Sequence, residues 1–114
     1  MCIRDRLGRI RSYQDKDFWG TRGNPRHGAG SKKDFDYYIN NNLIFDTAGF
    51  AGAITSVKAS MVEIPASRIV FATDYPQEIR AREAVRDFVR DIRALGKDGE
   101  TILSGNVNKL LKSK

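Results

Sequence analysis

Two short apolar runs, each closed by an aspartate, constrain this chain more than anything else in it. Leu43-Ile44-Phe45-Asp46 follows the turn residues Asn40-Asn41-Asn42. Arg68-Ile69-Val70-Phe71-Ala72-Thr73-Asp74 is halted by Tyr75-Pro76. Neither run alternates polar with apolar residues, so both faces of each strand have to be covered, as in a parallel sheet with helices on it. Between the runs, Ile54, Val57, Met61 and Val62 recur at helical spacing. Residues 51–63 therefore read as a helix with one apolar face, ended by Pro65. After the second run, Ala81, Val85, Phe88, Ile92 and Leu95 form one stripe of a helix over 79–95. Glu83 lies three positions before Arg86 and Asp87 three before Arg90, a spacing suited to ion pairs. Gly96 is placed to cap this helix at its C-terminus.

The order strand, helix, strand, helix implies an α/β fold with parallel strands and a right-handed crossover. Two parallel strands do not make a stable sheet alone, so the chain reads as one end of a larger α/β architecture. Outside this unit, residues 34–39 suit a short helix that stops in the asparagine turn. Ile102-Leu103 and Val107, Leu110, Leu111 suit a final helical pair, broken near Ser104-Gly105. No strand or long helix is expected before Lys33, and residues 20–30, with four glycines and Pro25, read as a loop.

Composition narrows the function classes. At 114 residues the chain is at most one small domain. The apolar runs are only a few residues long, so no membrane span and no membrane partner is expected. Met1 to Arg6 has no apolar segment of a secretory signal. The single cysteine, Cys2, excludes an internal disulfide and fits a reducing, cytoplasmic setting. The net charge of +6 lies wholly in residues 1–33, which hold nine Lys/Arg against three Asp. Residues 34–114 carry eleven charges of each sign. The organisation is thus a basic, loop-rich segment, 1–33, followed by 34–114. A basic arm for nucleic acid is one reading of the first segment. Tyr13, Phe18 and Trp19 do not interleave with its cations as a stacking platform would, which favours a solvated loop and makes nucleic acid an unfavoured partner.

Four side chains invite chemistry. Asp74 stands at the mouth of a buried strand, where it could be a metal ligand or general base. It could equally cap the next helix or satisfy loop amides. Pro76 biases Tyr75 toward an extended backbone and stiffens that turn. Asp46 holds the equivalent place on the first strand, where a structural hydrogen-bonding carboxylate is the simpler reading. His27 is the only histidine. A nitrogen- and oxygen-ligated metal site normally takes three protein ligands, so an exposed loop histidine is expected. Gly28-Ala29-Gly30 lacks the preceding strand of a phosphate loop, and Cys2 has no histidine partner nearby in sequence.

Taken together, Leu43-Ile44-Phe45-Asp46-Thr47-Ala48-Gly49, Ile69-Val70-Phe71-Ala72-Thr73-Asp74-Tyr75-Pro76 and Ile102-Leu103-Ser104-Gly105-Asn106, leading to Lys109-Leu110-Leu111, resemble the C-terminal end of an amidohydrolase-related protein. The branch concerned includes aminocarboxymuconate semialdehyde decarboxylase and γ-resorcylate decarboxylase, and the likeness runs over about residues 7–112. The resemblance implies the C-terminal βαβα portion of a (β/α)₈ barrel. Leu43 to Asp46 would be strand seven and Arg68 to Thr73 strand eight. It implies a divalent metal, Zn²⁺ foremost, and a hydrolase or carboxy-lyase acting on a small carboxylic or aromatic acid. Asp74 matches the family's last metal-binding aspartate, which also helps proton transfer. Leu7-Gly8-Arg9-Ile10 resembles the segment just after the family's strand-six histidine.

The family's own histidines lie upstream of this segment, and His27 matches none of them. Met1 to Arg6 does not fit the family and reads as translated leader, so the native N-terminus is expected to be missing and the piece alone to be inactive. A homo-oligomer is compatible with this reading. The alternatives are a non-enzymatic basic binding module, or a subunit that completes a barrel with a partner chain.

Overall fold

The computed structural model describes residues 7, 8, 10, 11, 33–48 and 52–112. The chain divides into two compact units, Met1–Leu43 and Ile44–Lys114. In the first, helix α1 spans Phe35–Asn41. Asp34 is its N-cap rather than its first residue: the carboxylate accepts from the Tyr37 backbone N–H at 2.7 Å, filling one of the donors a helix start leaves open. The helix runs on into the asparagines and stops at Asn42, whose N–H still reaches Tyr38 C=O. Asp36 holds the Arg11 guanidinium at 2.8 Å, and Arg11 also lies 5.6 Å from the Phe35 ring centroid.

The second unit carries the strand–helix–strand–helix order. Strand β1 is Phe45–Asp46, α2 is Ile54–Met61, β2 is Ile69–Val70 and α3 is Arg82–Arg93. The strands pair in parallel, Phe45 opposite Ile69 and Asp46 opposite Val70. Both are shorter than the apolar runs that contain them. The residues before Ile69 form a 3₁₀ turn, Ala66–Arg68, so Ile44 has no strand to pair with. Beyond Val70 the ladder passes to the Thr47 side chain, which bonds both backbone groups of Ala72.

Val57 and Ser60 of α2, Ile64, Ile69 of β2, Phe88 and Ile92 of α3, and Ile102 form the buried centre. Fully burying an Ile, Val or Phe side chain contributes about 1.5–3 kcal/mol. The Phe71 and Phe88 rings add a tilted contact, 6.0 Å between centroids. Val62 is 82% exposed and lies off the apolar face expected for it; Ser60 takes the buried place, its hydroxyl bonded to Ser56 C=O at 2.9 Å. On α3, Phe88 and Ile92 are the buried centre of the stripe, while Ala81 is exposed. Arg90 pairs with Asp87 at 2.7 Å as the spacing suggests, but no Glu83–Arg86 pair forms.

Gly96 ends the α3 region with φ +67°, the left-handed backbone glycine adopts without steric cost. The C-terminal residues differ from the expected broken pair. Helix α4, Lys97–Glu100, continues through a π-helical turn, Thr101–Gly105, into α5, Asn106–Lys112. The Asn106 N–H bonds back to Thr101 C=O, five residues away, so Ser104-Gly105 widens the helix instead of breaking it. Gly99 is required for close approach: a Cβ there would lie 2.0 Å from Ile92 C=O. The run is thereby seated against the end of α3.

The outer edge of β2 is closed by this C-terminal run. The Phe71 N–H donates to Ile102 C=O at 3.0 Å. The buried Asn106 amide donates to Ala66 C=O at 2.8 Å and Ile69 C=O at 2.7 Å. Among the described residues no strand lies on the outer edge of β1. No helix among them is long and apolar enough to cross a membrane.

Candidate functional site at the strand ends

Both candidate aspartates belong to the second unit: Asp46 is the last residue of β1, whereas β2 ends at Val70 and Asp74 lies beyond it, in the turn that follows. Past β1, the Asp46 carboxylate accepts from Ala48 N–H at 2.9 Å, an aspartate-closed turn. Thr47, 1% exposed, comes next. Its hydroxyl accepts from Ala72 N–H at 3.0 Å and donates to Ala72 C=O at 2.8 Å, while its own N–H reaches Val70 C=O at 3.1 Å. A threonine side chain thus stands in for the next rung of the ladder. The Asp46 carboxylate takes part in its own turn through one oxygen.

Past β2 the arrangement is different. Asp74 has φ +61°, the only non-glycine residue with positive φ among the described residues. Its C=O accepts from Glu78 N–H at 2.9 Å, which closes the turn through the backbone. The Tyr75–Pro76 peptide bond in this turn is cis. The Asp74 side chain is exposed and makes no hydrogen bond or ion pair among the described residues. Aspartate tolerates left-handed backbone better than most residues, yet such positions are uncommon outside glycine. The loop around it exposes apolar surface, with Tyr75 at 75% and Ile79 at 84%.

Beside this loop a small cavity of about 10 Å³ lies under Thr47, Ala72, Thr73 and Phe88, with Arg80 across it. The Arg80 guanidinium is held by Glu78 through Nε, at 3.0 Å, and through Nη2. Its other terminal nitrogen passes over Gly52, 2.9 Å from where a Cβ would sit. Arg80 is therefore fixed in place by Glu78, which also closes the Asp74 turn through its N–H.

The two strand ends lie side by side; the Asp46 carboxylate is partly engaged, by Ala48 N–H at one oxygen, and the Asp74 carboxylate has no partner among the described residues. Sequence reading did not single out Thr47 or Arg80. A buried threonine has no periodic signature, and a Glu-x-Arg pair two apart in a loop matches no helical spacing. His27, Cys2 and Gly28–Gly30 lie outside the described residues. Among the described residues no three His, Cys, Asp or Glu side chains come together to hold a metal ion. A single exposed carboxylate does not meet the demand of a divalent ion for several donors. No family model, no curated protein and no solved structure matches this chain.

Proposed function

We propose that this chain supplies the last two strands of an amidohydrolase-type (β/α)₈ barrel, a metal-dependent hydrolase or carboxy-lyase for a small carboxylic or aromatic acid, with Asp74 as its chemical contribution. The observation that carries this reading is the bare Asp74 carboxylate in the turn that follows the parallel strand β2, on the side of the sheet where α/β enzymes place their chemistry. A carboxylate released from the hydrogen bonding of its own turn is open to a ligand or to a proton at its oxygens. The described residues alone do not build a metal site, and any further donors have to come from outside them.

This reading makes a structural demand. In a closed barrel every strand has two neighbours. The outer edge of β2 is engaged by Ile102 and Asn106, so residues 101–106 would have to release Phe71 N–H and Ile69 C=O to a neighbouring strand. A second reading, in which a separate chain completes the sheet, is favoured by the open outer edge of β1, since free edges invite pairing.

Sequencing the source DNA upstream of the Met1 codon tests the proposal. The expected result is an open frame that continues upstream with a His-x-His strand and two later histidines. A stop codon and ribosome-binding site immediately upstream would overturn it and leave the partner-chain reading. Metal-dependent turnover by the purified 114-residue chain would also count against it, since the described residues supply one free strand-end carboxylate.

A further inference from the structure

At the opposite end of the strands from Asp74 lies a larger cleft of about 220 Å³, lined by Ile44, Ser67, Arg68, Asn106, Lys109 and Leu110. Among the described residues, no acidic one lines it. Arg68 comes from the 3₁₀ turn before β2 and Lys109 from α5, so two elements distant in sequence each bring a cationic residue to the lining of one cleft. Arg68 is half-buried, and neither cation has a carboxylate or other partner among the described residues. Among the described residues Arg80, Arg90 and Arg93 are each paired, while Arg82 and Arg86, exposed on α3, are not; what sets Arg68 apart is its place in a cleft beside a second cationic residue. A guanidinium without an anion is open to the charge-assisted bonds it makes best, to the oxygens of a carboxylate or phosphate. The remaining lining supplies one hydroxyl, Ser67, and two apolar walls, Ile44 and Leu110.

We propose that this cleft binds a phosphate monoester. The planar Arg68 fork suits two phosphate oxygens, and Lys109 adds a point charge against a dianion. Ser67 Oγ can donate to a third oxygen, and a short apolar ester group would rest on Ile44 and Leu110. The Asn106 amide hydrogens are committed to Ala66 and Ile69 carbonyls, so Asn106 shapes the floor and does not donate to the ligand. The site is independent of Asp74.

Titrating the ¹⁵N-labelled 114-residue chain with phenyl phosphate, inorganic phosphate and benzoate tests this by amide shifts. The expected result is saturable shifts at Ile44, Ser67, Arg68 and Lys109, with phenyl phosphate tighter than both other probes. Arg68→Gln and Lys109→Gln should each weaken phenyl phosphate by about tenfold, the loss of one charge-assisted contact. Lys58→Gln, on α2, should leave it unchanged. Lys109 is exposed, so its variant keeps the fold even where Arg68→Gln perturbs it. Shifts that do not saturate, equal loss in Lys58→Gln, or benzoate as tight as phenyl phosphate would each overturn the proposal.

Discussion

The two strands end alike in sequence and unlike in space. Each apolar run closes on an aspartate. At the end of β1 the side chain does the bonding: Asp46 takes Ala48 N–H, and the Thr47 hydroxyl takes both backbone groups of Ala72. At the end of β2 the backbone does it: Asp74 C=O takes Glu78 N–H, and the carboxylate is left over. The left-handed backbone at Asp74 separates the two cases. At Asp46 the carboxylate takes the amide two residues on, through one oxygen; at Asp74 the turn is closed by the residue's own carbonyl, and the carboxylate has no part in it. Availability for chemistry is thus a property of the turn, and residue type alone does not decide it.

The contrast is broken most severely at Thr47. Thr47→Val keeps the shape and removes the hydroxyl, leaving Ala72 N–H and C=O without their partner in a part-buried place. The expected cost is about 2–4 kcal/mol, the lower part of the range for two groups at about 1–3 kcal/mol each, because the site is only part-buried. Urea unfolding followed by circular dichroism measures it, and Thr47→Ser should recover most of the loss. A cost under about 1 kcal/mol would mean that the β1 end is not held by this hydroxyl.

Asn106 tests the same idea on the other side of β2. Asn106→Ala frees the carbonyls of Ala66 and Ile69 inside the protein. About 2 kcal/mol is expected, less than at Thr47 because carbonyls tolerate lost partners better than N–H groups do. Hydrogen exchange adds a local reading: the Phe71 amide, bonded to Ile102 C=O, should exchange faster in this variant as the closed edge loosens. An unchanged Phe71 amide would show that the edge is closed without Asn106.

Much of the second unit was legible in the residues. The strand–helix–strand–helix order and the parallel pairing of the apolar runs are implied by continuous apolar stretches flanking helical periodicity, and both are present in the fold. The limits of the strands were not legible. They depend on Thr47 replacing a ladder rung and on the 3₁₀ turn before Ile69, and neither leaves a periodic mark. Nor was the continuous run from Lys97 to Lys112, because Ser104-Gly105 reads locally as a break. The π-helical turn through it is stabilised by contacts with β2 that lie far away in sequence. For the candidate site, sequence position offered two equivalent aspartates, and only the turn geometry distinguishes them.

Asp74 itself sharpens the comparison by separating backbone from side chain. Asp74→Asn keeps the residue shape and much of the tolerance for positive φ, so stability should move by no more than about 0.5 kcal/mol. Asp74→Ala meets the full left-handed penalty, and about 1 kcal/mol of loss is expected. Urea midpoints of the two variants decide the matter. If Asp74→Asn costs as much as Asp74→Ala, the carboxylate is engaged in the fold, and its availability as a free group is refuted.

The smallest effect is expected at Asp46, and it is the most discriminating because the residue looks so much like Asp74. Its carboxylate serves one exposed turn bond, to Ala48 N–H. Asp46→Ala should cost about 0.5 kcal/mol, the low end for a solvent-accessible hydrogen bond. Asp46→Asn should cost almost nothing, because the amide oxygen can accept the same bond. The pattern at Asp74 is then different in kind: there alanine hurts through φ, and at Asp46 it hurts through the lost acceptor. Asp46→Gly separates the causes. Glycine removes the acceptor at Asp46 and gains nothing, so it should be at least as costly as alanine. At Asp74, glycine relieves the left-handed backbone and should be more stable than alanine. Matching glycine-to-alanine differences at the two positions would erase the distinction between a carboxylate that closes its turn and one that the turn leaves free.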